Sequence, residues 1–130
     1  VKKPAFVDVL IAPAVGPEIL TGSTRMKSGT ATKLILNMIT TTAMVQIGKS
    51  YGNLMVDLRA TSQKLAERSR RILVETLGVS YAQAGALLKR ANGEVKTAIA
   101  MYLLDLDYAS AKQRLIRANG KLVIALDPHS

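Results

Sequence analysis

The residues with the most chemistry in them lie together in one short stretch, Gly16-Pro17-Glu18-Ile19-Leu20-Thr21-Gly22-Ser23-Thr24-Arg25-Met26-Lys27-Ser28-Gly29-Thr30. Gly22 and Gly29 let the backbone come close to a bound group and reach conformations closed to other residues. Thr21, Ser23, Thr24 and Thr30 bring hydroxyls, and Arg25 and Lys27 bring positive charge. A helix opening just after the stretch adds backbone N–H groups and a partial positive field. Together these suit a phosphorylated or hydroxyl-rich ligand. The GxxxxGK[ST] spacing of a P-loop is absent. Simple helix capping by Ser, Thr and Gly accounts for the same residues about as well. Glu18 is the one carboxylate here. It could act as a general acid or base, orient a substrate hydroxyl, or pair with Arg25 or Lys27; with no second carboxylate nearby, pairing or orienting is favoured over catalysis.

The composition narrows the chemistry further. The chain has 130 residues, 48% of them hydrophobic, with 18 Lys and Arg against nine Asp and Glu, a formal net charge of +9. That hydrophobic share excludes global disorder. With no cysteine, disulfides, thiolate metal sites and cysteine nucleophiles are excluded. The one histidine, His129, stands at the end of the sequence, which argues against a zinc site or a histidine acid/base centre. No run of apolar residues is long enough to span a bilayer, so no membrane association is expected. The basic residues are dispersed, with the densest group at Lys64, Arg68, Arg70 and Arg71, and only five aromatics are available to stack on bases. This reads as a solvated basic surface rather than a nucleic-acid site, and it is equally compatible with attraction for anionic small molecules such as sugar phosphates. The lack of cysteine and of an export signal fits a reducing cytoplasm.

The elements that position the loop follow from pattern. Phe6–Ala12 (FVDVLIA) predicts a buried strand. One strand cannot make a sheet, and the sequence starts without Met, so the chain reads as part of something longer. Residues 31–49 carry Leu34, Ile35, Met38, Thr42, Val45 and Ile47 at near-helical spacing, and the Thr40-Thr41-Thr42 run makes that helix dependent on tertiary packing. Tyr51-Gly52-Asn53 breaks it. Residues 54–77 predict a second helix with Leu58, Leu65, Ile72, Leu73 and Leu77 on one side and Gly78 as its C-terminal cap. Ser80 and Gln83 form a capping box opening a helix to Ala91, closed by Asn92-Gly93. A helix from Glu94 to about Leu104 follows, with Val95, Ile99, Tyr102 and Leu103 inward. Asp107 caps another to Ala118, Asn119-Gly120 ends it, and Lys121–Leu126 is a short apolar tail element.

Residues 80–99 and 107–126 repeat one another, with nine of 20 positions identical at an offset of 27. Each copy reads as a capped helix, an Asn-Gly stop and a second apolar helix. Neither copy holds nucleophiles or convergent acids, so the repeat reads as two helical hairpins that pack together rather than as a duplicated ligand site.

The run GPEILTGSTRMKSGTATKLILNM, followed by YGNLMVDLRATSQKL, closely resembles the N-acetylmuramic acid 6-phosphate etherase family. The glucokinase regulatory protein shares the first half of that signature. The resemblance covers essentially the whole chain. It implies a C-terminal fragment, mainly α: residues 1–53 as the last strand (Phe6–Ala12), closing active-site loop (Gly16–Gly29) and helix of a SIS-type, doubly wound α/β domain; residues 54–126 as a C-terminal helical, ubiquitin-associated-like (UBA-like) bundle, with Ala91–Ile99 fitting that pattern; and 127–130 as a tail. It implies a lyase that cleaves the D-lactyl ether of N-acetylmuramic acid 6-phosphate by β-elimination and addition of water, giving N-acetylglucosamine 6-phosphate and D-lactate in cell-wall sugar recycling. Glu18, Ser23, Thr24, Arg25 and Lys27 carry over as substrate-binding residues. No catalytic residue is assigned within the chain, Glu18 being the one candidate. The family's acid/base glutamates would precede Val1, so this fragment alone is expected to be inactive. No metal or other cofactor is implied, and a homodimer is. The alternatives are a non-catalytic sugar-phosphate-binding regulator like the glucokinase regulatory protein, or a free-standing basic helical interaction domain.

Overall fold

The computed structural model describes residues 2–127, so His129 and most of the 127–130 tail lie outside it. The chain is mainly helical, in the order α1 (Lys27–Gln46), β1 (Ser50–Tyr51), β2 (Leu54–Met55), α2 (Gln63–Leu77), α3 (Tyr81–Arg90), α4 (Val95–Leu103), α5 (Tyr108–Arg117) and α6 (Leu122–Ala125). It divides into two compact units, one up to Thr42 and the other from Ala43 on.

In the first unit, residues 6–12 form no strand, and Phe6, Val9, Leu10 and Ile11 are exposed. The short apolar run that predicts a strand is there. Within residues 2–127 no neighbouring strand takes up its backbone N–H and C=O groups, and without that ladder an extended segment has nothing to hold it. α1 begins four residues earlier than its pattern predicts, because its cap comes from Glu18.

The second unit holds the core, built around Leu73, Val95, Ile99 and Leu122, all fully buried, with Val56 covered by the same cluster. Its helices start and stop where local chemistry requires. Ser62 accepts a hydrogen bond from Leu65 N–H to open α2, and Gly78, at φ 66°, closes it by donating to Val74 C=O. Ser80 and Gln83 complete their reciprocal capping box at α3, and Asp107 accepts from Ser110 N–H at α5.

Two expectations are corrected here. Residues 54–62 are not helical. Tyr51 pairs with Leu54 and Ser50 with Met55 across Gly52-Asn53, with Gly52 at φ 57°, the positive angle that tight hairpin turns favour. Helix α2 starts only after Ser62. On α4, Val95 and Ile99 are buried as expected, but Tyr102 and Leu103, in its last turn, are about half exposed.

The repeat is plain in three dimensions. Ala84 and Ala111, Leu88 and Leu115, Ala91 and Ala118, Val95 and Leu122, and Ala98 and Ala125 are equivalent pairs, and every member is buried. Asn92 and Asn119 both take the left-handed conformation, at φ 51° and 52°. Each Asn-Gly corner also grips the segment that enters the unit. At the first, Ala60 N–H donates to Gly93 C=O (3.1 Å) and Val95 N–H to Leu58 C=O (3.4 Å). At the second, Gly48 lies so close that a Cβ on it would stand 2.9 Å from the Gly120 oxygen. The duplication therefore supplies two matched anchor points, one near each end of residues 48–60.

Candidate functional site

The loop of residues 16–30 is organised by one hydrogen-bonded turn and one carboxylate. Ser23 N–H donates to Leu20 C=O at 3.0 Å, and Gly22 sits at φ 81°, the angle a type II turn demands at its third residue. That turn leads directly into Ser23, Thr24 and Arg25. Ser23 is half-buried, while Thr24, Arg25 and Lys27 are exposed.

Glu18 reaches the start of α1 from nine residues upstream. Its Oε2 accepts from Lys27 N–H and its Oε1 from Ser28 N–H, each at 3.0 Å. These are donors of the first helical turn that no intrahelical carbonyl can satisfy. Among the described residues no ion pair joins Glu18 to Arg25 or to the Lys27 ammonium. The partner of Glu18 is the helix backbone. The hydrogen bonds from Lys27 and Ser28 N–H hold its carboxyl below the ordinary value of 4.5, against a smaller opposing effect of burial, and the Lys27 charge adds to them.

Three consequences follow. Glu18 stays ionised near neutral pH, so it is not a proton donor there. Each of its oxygens keeps a lone pair, so it can still accept from a sugar hydroxyl. Two of the N–H groups expected to meet an anion already meet one, which leaves the Ser23 and Thr24 hydroxyls and the Arg25 and Lys27 cations as the loop's donors to a ligand. Among the described residues no group of three or more His, Asp or Glu side chains could hold a metal ion, and no helix is long and apolar enough to cross a membrane.

A second polar constellation, missed in the sequence, lies in the helical unit. Glu94 is nearly buried and holds two cations, Arg59 Nη2 at 3.1 Å on Oε1 and Lys112 Nζ at 2.7 Å on Oε2, with the Thr97 hydroxyl donating to Oε2 at 2.7 Å. Asp57 meets the Lys49 ammonium and Lys96 Nζ (3.1 Å), and Lys96 also donates to Gly120 C=O at 2.8 Å. Burial raises both carboxyls, but hydrogen bonds from Lys112 and Thr97 on Glu94, and from Lys49 and Lys96 on Asp57, outweigh it and leave both lowered. One signal could have pointed here: Glu94 is an acid directly after an Asn-Gly stop, where the second copy of the repeat has Lys121.

No family model matches the chain. Curated relatives do. The chain is 56% identical over 123 residues to an N-acetylmuramic acid 6-phosphate etherase of Erwinia tasmaniensis, a match that covers 95% of this chain and 40% of that protein. It is 61% identical over 95 residues to one of Rhodopirellula baltica, covering 73% of this chain and 32% of the relative. A relative of the same name from Salinibacter ruber is 60% identical over 100 residues, covering 77% and 32%. The chain belongs to the N-acetylmuramic acid 6-phosphate etherase family. It spans between about a third and two fifths of the length of these etherases, matching a C-terminal part of them.

Proposed function

We propose that this chain contributes the closing active-site loop and the C-terminal helical region of a lyase that cleaves the D-lactyl ether of N-acetylmuramic acid 6-phosphate, giving N-acetylglucosamine 6-phosphate and D-lactate. The observation that carries the reading is 56% identity over nearly the whole chain to a protein named for that activity. In this reading residues 1–53 complete an α/β domain of SIS type, 54–126 form a UBA-like bundle, and the enzyme is a cytoplasmic homodimer in sugar recycling.

Substrate binding falls to Glu18, Ser23, Thr24, Arg25 and Lys27. The type II turn presents the Ser23 and Thr24 hydroxyls, Arg25 and Lys27 attract the phosphate, and Glu18 fixes the loop to α1 while accepting from a substrate hydroxyl. In this reading the acid of the elimination comes from outside this chain, since Glu18 is held ionised, and the base does too, since the Lys27 and Ser28 N–H groups that lower the Glu18 carboxyl also weaken it as a base.

The test is a chimera. This chain replaces the matching stretch of the Erwinia tasmaniensis etherase, and D-lactate release from N-acetylmuramic acid 6-phosphate is measured. The chimera is expected to release D-lactate and the 130-residue chain alone to release none. A folded chimera without activity, or turnover by the chain alone, would overturn the proposal.

A further inference from the structure

The constellation around Glu94 lines a cleft of about 710 Å³ between residues 56–59, the start of α4 and one side of α5. Its polar wall and its apolar wall face a common space. Val56, Leu58, Leu115 and Ile116 supply the apolar side. Arg59, Lys96 and Lys112 supply cations, Asp57 and Glu94 supply carboxylates, and the lining keeps one net positive charge.

The cations are positioned but not used up. Arg59 spends one N–H on Glu94 and is 72% exposed, so most of its fork stays open to another acceptor. Lys112 spends one of its three donors on Glu94 and is 42% exposed. Because Glu94 carries Arg59 on one oxygen and Lys112 on the other, the two cations are held as a pair at the mouth of the cleft. Lys96 is anchored deeper by Asp57 and Gly120, with 13% of its side chain exposed.

We propose that this cleft binds a small organic monocarboxylate, its carboxylate bridging Arg59 and Lys112 and its carbon body resting on Leu58, Leu115 and Ile116. A guanidinium fork matches a carboxylate edge-on. A phosphate dianion would bring twice the charge of a monocarboxylate up against the Asp57 and Glu94 carboxylates that share the cleft. The apolar wall adds the preference for an organic ion over an inorganic one. The site lies wholly within residues 56–120 and is independent of the role of the 16–30 loop.

The experiment is a titration of the uniformly labelled 130-residue chain, followed by amide NMR at constant ionic strength, with sodium acetate, sodium D-lactate and inorganic phosphate as separate probes. Expected are saturable shifts at Leu58, Arg59, Lys96, Thr97 and Lys112 in the millimolar range for acetate and D-lactate, and weaker binding of phosphate. Arg59→Ala should weaken acetate by about tenfold, the scale of one lost charge-assisted contact, and Arg59→Lys by less. Lys112→Ala should act like Arg59→Ala. Arg59 is exposed, so its variants keep the fold, and unchanged shifts elsewhere in the same spectra verify this. No saturation with either carboxylate, tighter binding of phosphate than of acetate, or full binding by both alanine variants would overturn the proposal.

Discussion

Helix α1 is twenty residues long and buries none of them, while α4 is nine residues long and buries six. Both are rich in apolar residues. The difference is what lies beside them. α4 is enclosed by α2, α3, α5 and α6, whereas Leu34, Leu36, Met38, Ile39, Met44 and Val45 on α1 are all at least half exposed. Apolar content sets how much a helix gains from burial, but only neighbours deliver that gain. The helical unit carries its neighbours within these residues; the loop-and-helix unit stands on local bonds, chiefly the Glu18 cap.

The widest gap between the two units should appear on truncation of a large side chain. Leu73→Ala, at a fully buried position, is expected to cost about 2–5 kcal/mol in urea unfolding of the chain, and Leu34→Ala no more than about 0.5 kcal/mol. Similar losses at both positions would mean that α1 is packed as α4 is.

Glycine substitutions sharpen the same contrast. Gly48 and Gly22 both have positive φ, at 78° and 81°. A Cβ at Gly48 would also press on the Gly120 carbonyl and Lys121 Cα, whereas nothing lies within 4 Å of one at Gly22. Gly48→Ala should cost about 2–3 kcal/mol by thermal melting, and Gly22→Ala about 1 kcal/mol or less, locally.

Acid should separate the units next. Glu94 and Asp57 titrate below their ordinary 4.5 and 3.8, so each stabilises the folded unit above those values and loses that contribution as pH falls through its lowered folded value. Melting of the helical unit is expected to hold steady from neutral pH down to about 5 and to drop below that. In Glu94→Gln the acid limb should be shallower. An acid limb unchanged by that substitution would remove the Glu94 cluster from the account.

The smallest effect is expected at the loop. Glu18 is also lowered, so its cap on α1 is complete above 4.5 and fades below it. Glu18→Ala should fray the first turn of α1, seen as faster amide exchange at Lys27 and Ser28, with the melting of the helical unit unchanged.

How much of this was legible in the sequence depended on distance along the chain. The Ser80–Gln83 box, the Asp107 cap, the Gly78 stop and both Asn-Gly corners are decided by residues within four positions of each other, and all stand where the pattern puts them. The predicted break at Tyr51-Gly52-Asn53 is the turn of the 50–55 hairpin, whereas Leu54–Met55, its second strand, falls in the stretch whose apolar pattern predicts helix; the pairing with Ser50–Tyr51 overrides that pattern. The Glu18 cap joins residues nine apart, outside the window in which caps are sought. The Glu94 cluster joins Arg59 and Lys112 across 53 positions, so only the fold could assemble it. Residues 6–12 form no strand, since among residues 2–127 no segment offers them a hydrogen-bonding ladder.

The central claim is that the 16–30 loop frames the sugar phosphate, and paired affinity and stability measurements test it most directly. In the active chimera, binding of N-acetylmuramic acid 6-phosphate and the melting temperature are measured for Ser23→Ala, Thr24→Ala and Arg25→Ala. Each hydroxyl variant is expected to lose about 1–2 kcal/mol of binding, and Arg25→Ala more, at unchanged melting temperature. Unchanged affinity in all three, with melting lowered instead, would contradict the account and leave the loop as a helix cap alone.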